Sequence, residues 1–279
     1  MTGPTLALLG LGIILTASTL VWMISVRLED ASIADICWGL GFVLLVWLYC
    51  LLSPTLTSRS WLVASLTTLW AVRLSLHIFR RNHGQGEDRR YQAMRASHGQ
   101  AFWWRSLFTV FSLQGAILWF VAFPVLAAVR AAQPAALTAI DGLGCVMFAV
   151  GYSFEVVGDS QLRRFRADPS NRGQVLDRGL WRYTRHPNYF GDAALWWGLY
   201  AIAAATPGGW LTVLGPALMT FLLMRVSGVT LLEQGLTTSK PGYREYIART
   251  PAFFPWFRAP HGEPCGTRAS RALRFVDHD

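Results

Sequence analysis

TLALLGLGIILTASTLVWMISV, residues 5–26, is an uncharged apolar run of 22 residues. An α-helix needs about 20 mainly apolar residues to cross the hydrocarbon core of a bilayer. The run is too long for the apolar region of a secretory signal, lacks a basic segment before it and shows no clear cleavage site, so it reads as a retained helix. Working outward, six further stretches qualify: 32–52, 60–79, 106–129, 136–157, 189–206 and 210–232. The sixth of the seven is short and follows a polar segment. The expectation is an all-α polytopic membrane protein with about seven transmembrane helices. Residues 1–257 form a single transmembrane domain, and residues 258–279 form a polar C-terminal tail. No internal repeat is visible.

Composition agrees. Hydrophobic residues make up 53% of the 279 and charged ones 15%, against roughly 25% charged in soluble globular chains. Basic residues number 25 against 16 acidic, and 24 of the 25 are arginine, Lys240 being the exception. A basic excess in a soluble chain points to nucleic acid; in a chain this apolar it points to membrane lipids instead. Cys37, Cys50, Cys145 and Cys265 are far apart and form no CxxC pair, so neither a disulfide framework nor a metal site is expected.

The arginines also predict orientation. With the N-terminus outside and seven alternating helices, the inner side receives Arg27, six arginines from Arg80 to Arg105, seven from Arg163 to Arg185 and seven basic residues from Lys240 on. The outer side receives Arg59 and Arg130. This places the C-terminus in the cytoplasm, with the polar machinery facing the cytoplasm. Asp35, Arg73, Glu155, Asp192 and Arg225 all fall in the inner halves of their helices, where charge is costly and marks a polar pocket; snorkelling of the arginines to headgroups is the alternative.

The stretch 155–192, EVVGDSQLRRFRADPSNRGQVLDRGLWRYTRHPNYFGD, carries the most chemistry. Its first part continues the fifth helix beyond the membrane, with Glu155, Asp159, Arg163 and Arg166 on one face. That face suits a nucleotide, arginines to phosphate and carboxylates to ribose hydroxyls; a solvated face of i,i+4 ion pairs is the competing account. Pro187 is well placed to open the next helix, whose free N–H groups, with Arg182 and Arg185, would cradle an anion.

GLWRYTRHPNYFGDAALWWGLYAIAA (179–204) resembles the signature of the steroid 5-alpha-reductase-like membrane enzymes, in particular a bacterial branch long filed as a domain of unknown function. LEQGLTTSKPGYREYIARTPAFFPWF (232–257), ADICWGLGF (34–42) and RNHGQGEDRRYQAMR (81–95) extend the resemblance. It implies a seven-helix reductase using NADPH at the cytoplasmic side. The implied cofactor-binding residues are Glu155, Asp159, Arg163, Arg166, Tyr183, Asn188, Asp192, Arg244 and Tyr246. Asp192 stands where the family usually has glutamate. The family's substrate-polarising glutamate and tyrosine have no convincing match here; Glu87 and Tyr91 are the substitutes.

The expected reaction is hydride transfer from NADPH to a conjugated C=C of a lipophilic enone, a 3-oxo-steroid or another lipid, with a tyrosine hydroxyl facing the carbonyl oxygen as it gains charge. Trp38, Trp196, Trp197 and Tyr200 are candidates for the apolar lining, or for ordinary packing. Two alternatives remain. One is an isoprenylcysteine- or phospholipid-type methyltransferase using S-adenosylmethionine, whose paired glutamates would fall at Glu233-Gln234. The other is a transporter or scaffold without catalysis.

Overall fold

A computed structural model describes residues 1–226, 233, 235–237, 240 and 242–257. The expected tail, 258–279, and the end of the last expected span, 227–232, lie outside the described residues. Among those described, every regular element is helical. Six helices are long and apolar enough to cross a membrane: Gly3–Leu28, Ile33–Leu52, Ser58–Asn82, Arg89–Val121, Ala139–Ala167 and Gly209–Val226. A further 18-residue helix, Pro187–Ala204, occupies the place of the expected sixth span. It is not among those six; Pro187, Asn188, Tyr189 and Asp192 at its start dilute its apolar character.

The chain folds into two compact units. The first comprises Met1–Gly144 and Leu199–Gly215, and the second comprises Cys145–Gly198 and the described residues from Pro216 on. In the first unit α1 (Gly3–Leu28), α2 (Ile33–Leu52) and α3 (Ser58–Asn82) form the frame. Helices in lipid gain little from apolar burial against one another, so close approach through small residues supplies the packing. α2 and α3 meet in this way at Gly39, where a methyl group would lie 2.8 Å from the carbonyl oxygen of Ala71. Trp38, Phe42 and Trp70 pack edge to face beside it, with centroids 4.9 and 5.3 Å apart for Trp38–Phe42 and Phe42–Trp70. The outward positions, among them Leu8, Leu51, Leu69 and Phe108, are exposed apolar side chains, as lipid-facing surfaces require.

The expected helix 106–129 is broken. α4 (Arg89–His98) leads into α5 (Phe102–Ser106), a π-helical stretch (Leu107–Ser112), α6 (Leu113–Val121) and α7 (Phe123–Arg130). Pro124 lacks the amide hydrogen that would continue the ladder, and its ring crowds the preceding turn. The chain kinks at Ala122, and Gly215 packs against the carbonyls of Phe120 and Val121.

At the start of α3, Arg59 is fully buried and grips Asp141 through two hydrogen bonds of 2.7 and 2.8 Å. Two of its other N–H groups donate to the carbonyls of Pro134 and Ala136. Pairing with a carboxylate and these further hydrogen bonds offset the cost of such burial.

α8 (Ala139–Ala167), which belongs to the second unit from Cys145 on, is one unbroken rod of 29 residues, about 44 Å long. Asp168 ends it by accepting from the Ser170 backbone and hydroxyl. α9 (Pro187–Ala204) starts at Pro187, and α8 and α9 touch backbone to backbone: a methyl on Gly191 would lie 2.5 Å from the Gly151 carbonyl oxygen and the Glu155 nitrogen. Further along the chain come α10 (Leu214–Phe221) and α11 (Tyr243–Arg249).

Candidate functional site

Each unit holds a polar cluster. In the first, Tyr91 is 4% exposed within an apolar group formed by Ala31, Ala34, Phe102, Val110 and Phe111. Its hydroxyl donates to Asp35 Oδ1 at 2.6 Å and accepts from the Gln114 amide at 3.0 Å. Gln114 also reaches Asp35 Oδ1, at 3.5 Å, so two donors converge on one carboxylate oxygen. The other oxygen, Oδ2, accepts from Arg90 at 2.6 Å. Arg90 is anchored in turn by Asp88, which caps α4 through the Arg90 backbone N–H. Burial would push the Asp88 carboxyl up, but the Arg90 hydrogen bonds outweigh it and hold the group below its ordinary value.

Local sequence explains the arrangement. Asp35 lies in the first turn of α2, and its carboxylate suits the positive end of the helix. Gln114 is the one amide in the apolar run 106–129 and lies two residues past the end of the π-helical stretch. One extra residue per turn there rotates the face that follows, a device common at functional sites.

Glu87 does not join this cluster. It precedes α4, whereas Tyr91 lies within it, and no hydrogen bond joins the two among the described residues. Glu87 takes two hydrogen bonds from Arg95, at 2.8 and 3.0 Å, and one from the Ala31 N–H at 2.9 Å. Burial raises its carboxyl, yet Arg95 and Ala31 bring it below the usual glutamate range. It ties the α1–α2 turn to α4.

In the second unit Glu155 and Asp159 are buried on α8, at 3% and 8% exposure, while Arg163 and Arg166 one and two turns on are exposed. Asn188 donates to Asp159 Oδ1 at 3.2 Å. The Asn188 Oδ1 is buried and accepts no hydrogen bond among the described residues. Asp192, one turn into α9 from Asn188, is also buried. Glu155, Asp159, Asn188 and Asp192 therefore gather where α8 and α9 cross at Gly151 and Gly191. Tyr183 and Arg244 are exposed. Tyr246 is buried, and its hydroxyl donates to the Trp181 carbonyl, locking α11 to the loop before α9.

Arg185 is not available to an anion cradle. It binds both oxygens of Glu233, at 2.7 and 3.1 Å, and donates to the carbonyls of Ile247 and Thr250. His186 Nε2 lies 3.0 Å from Glu233 Oε1. Burial raises the Glu233 carboxyl, but the His186 and Arg185 hydrogen bonds more than offset this and lower it overall. Gln161 accepts from the Leu180 N–H, and Trp181 donates to the Gly158 carbonyl, pinning the loop 179–186 to α8. Trp196 is fully buried and Trp38 is part of the aromatic packing of α2 and α3, so both act in packing.

Sequence reading marks Asp35 but not its partner Gln114, and does not link Arg185 to Glu233. A lone amide in an otherwise apolar span is the available signal for Gln114. Nothing local connects Arg185 to a carboxylate 48 positions away.

The profile of a family described as a protein of unknown function, DUF1295, matches residues 21–250. The chain is also similar to the uncharacterized protein C594.04c of Schizosaccharomyces pombe, with 26% identity over 269 residues, covering 86% of this chain and 77% of that protein. No solved structure matches it. With a match running from the end of α1 to the helix Tyr243–Arg249, the chain belongs to the DUF1295 family.

Proposed function

We propose that this protein is an NADPH-dependent reductase of the steroid 5-alpha-reductase-like kind, embedded in the bacterial inner membrane and acting on the conjugated C=C of a lipophilic enone. The observation that carries this reading is the convergence of the Tyr91 hydroxyl and the Gln114 amide on a single oxygen inside an apolar cluster. Two donors aimed at one oxygen in a dry setting are what a developing enolate needs.

In this reading the substrate carbonyl oxygen takes the place of Asp35 Oδ1. Tyr91, protonated at neutral pH because a phenol titrates near 10, then donates to it, with Gln114 as second donor. Asp35 keeps Arg90 on its other oxygen, so displacement leaves no unpaired carboxylate. Glu87 is a positioning residue, acting through Arg95 and the α1–α2 turn.

NADPH, when bound, supplies the hydride. The residues present fit it in part. Arg163, Arg166 and Arg244 are exposed, with room for phosphate oxygens, and guanidinium forks match phosphate well. Asn188 Oδ1 is an acceptor suited to a ribose hydroxyl or an amide. Asp159 orients Asn188, and Glu155 and Asp192 supply further carboxylates. Tyr183 offers a ring at the surface, while Tyr246 contributes by holding the loop.

Purified protein should bind NADPH, and should oxidise it when an enone lipid is added. Binding of S-adenosylmethionine in its place would establish the methyltransferase alternative, and binding of neither would leave a transporter or scaffold.

A further inference from the structure

Next to the cluster around Tyr91, and sharing Ala31 and Phe102 with it, the first unit holds a cavity of about 320 Å³, at the small end of the range for ligand pockets. Ser25 and Glu29 line it from the end of α1, Arg95 from α4, and Phe102, Trp103 and Ser106 from α5. Its chemistry is uneven in an informative way. The Ser25 and Ser106 hydroxyls donate to the carbonyls of Trp22 and Trp103, at 2.8 and 2.9 Å, so each presents oxygen lone pairs and no hydrogen to the space. Glu29, held in a left-handed conformation at φ 54° where α1 ends, adds an exposed carboxylate. The wall is therefore rich in acceptors.

Arg95 supplies the opposite sign at one edge. Its Nε and Nη2 are engaged by Glu87 and the Glu29 carbonyl, and its guanidinium lies 4.6 Å over the Phe102 ring. Its Nη1 makes no hydrogen bond among the described residues. Glu29 and Asp30 also act electrostatically on Arg95, so three carboxylates, Glu29, Asp30 and Glu87, surround one guanidinium and the local balance favours a further positive charge in the space. Trp103, 55% exposed, stacks on Trp22 and offers a ring face, which attracts ammonium groups. Val26 adds an apolar wall, and Ile24, Leu28 and Trp104, close in sequence to lining residues, are exposed. Tryptophans with an arginine at a helix end are the mark of the bilayer–water boundary.

We propose that this cavity binds the headgroup of an aminophospholipid, the primary ammonium entering among Glu29, Ser25, Ser106 and Trp103, and the phosphodiester meeting Arg95 Nη1 at the edge. A primary ammonium carries three donors for three acceptor groups; a quaternary one has none. The proposal does not rest on the reductase reading.

The test uses the full chain, purified in detergent and offered equal amounts of phosphatidylethanolamine and phosphatidylglycerol, with retained lipids counted by native mass spectrometry. Phosphatidylethanolamine should be retained roughly tenfold over phosphatidylglycerol, the size of effect lost with one charged hydrogen bond. Glu29→Gln should abolish the preference, and Ser25→Ala should reduce it several-fold. Soluble phosphoethanolamine should compete only weakly. Equal retention of the two lipids, or a preference surviving in both variants, overturns the proposal. Tight binding of phosphoethanolamine that the lipid cannot displace overturns it too, assigning the cavity to a water-soluble amine. Enone-dependent NADPH oxidation is measured separately on the wild-type protein, so failure here is distinguishable from failure of the reductase reading.

Discussion

Tyr91 and Asp35 differ in what their removal should do. Tyr91→Phe keeps the ring in its apolar surroundings and removes only the donor. It should lower kcat for enone reduction by about 10²–10³-fold, as loss of one oxyanion donor does elsewhere, with NADPH affinity unchanged; unaltered kcat in this variant removes the assigned role. Asp35→Asn should act through orientation of Tyr91 and give a smaller loss. Arg59 and Asp141 make a contrasting pair, remote from the proposed chemistry. Removing either partner strands a buried charge, so Asp141→Ala should destabilise the protein by about 3–5 kcal/mol, measured as loss of thermal stability in detergent. Replacing both at once should cost less than the sum.

Among the elements, the α8–α9 crossing is the most constrained. Backbone contact at Gly151 and Gly191 leaves no space for a side chain, so Gly191→Leu should separate the helices and weaken NADPH binding along with stability, by about 1–3 kcal/mol or more. Equal affinity in that variant would detach the crossing from the nucleotide. The Arg185–Glu233–His186 tie between the loop and Glu233 has a pH dependence. The Glu233 carboxyl is depressed in the folded protein from its ordinary 4.5. A depressed carboxylate contributes stability fully above its unfolded value and loses it as pH falls through the folded one. Wild-type thermal stability should therefore fall on acidification below about 4.5 more steeply than that of Glu233→Gln, which starts lower and lacks this component. Glu87 and Asp88 shift in the same direction, so the difference between the two proteins, not the fall itself, is the measurement.

For the whole molecule, the charge distribution predicts that the segments 80–105 and 163–185 lie on the cytoplasmic side. Single cysteines introduced at Ser97 and Ser170 in a cysteine-free background should react with a membrane-impermeant maleimide in inverted vesicles and stay protected in spheroplasts. Labelling of one in each preparation would break the alternating topology.

Much of this protein is readable from its chain because lipid imposes simple demands. Runs of apolar residues long enough to cross a bilayer become helices, since no other element satisfies its backbone there without a partner. Asp168 and Pro187 punctuate their helices through bonds and ring constraints within a few residues, and the continuation of α8 to Ala167 is equally local. Other features needed the fold. The π-helical stretch before Gln114 has no Pro or Gly to mark it in the sequence. The pairing of Tyr91 with Asp35 instead of Glu87, the capture of Arg185 by Glu233 and the burial of Arg59 on Asp141 join residues 48 to 82 positions apart. Charged groups far apart in sequence choose partners by distance and dielectric once the helices have packed, and the chain's local pattern carries no record of that choice.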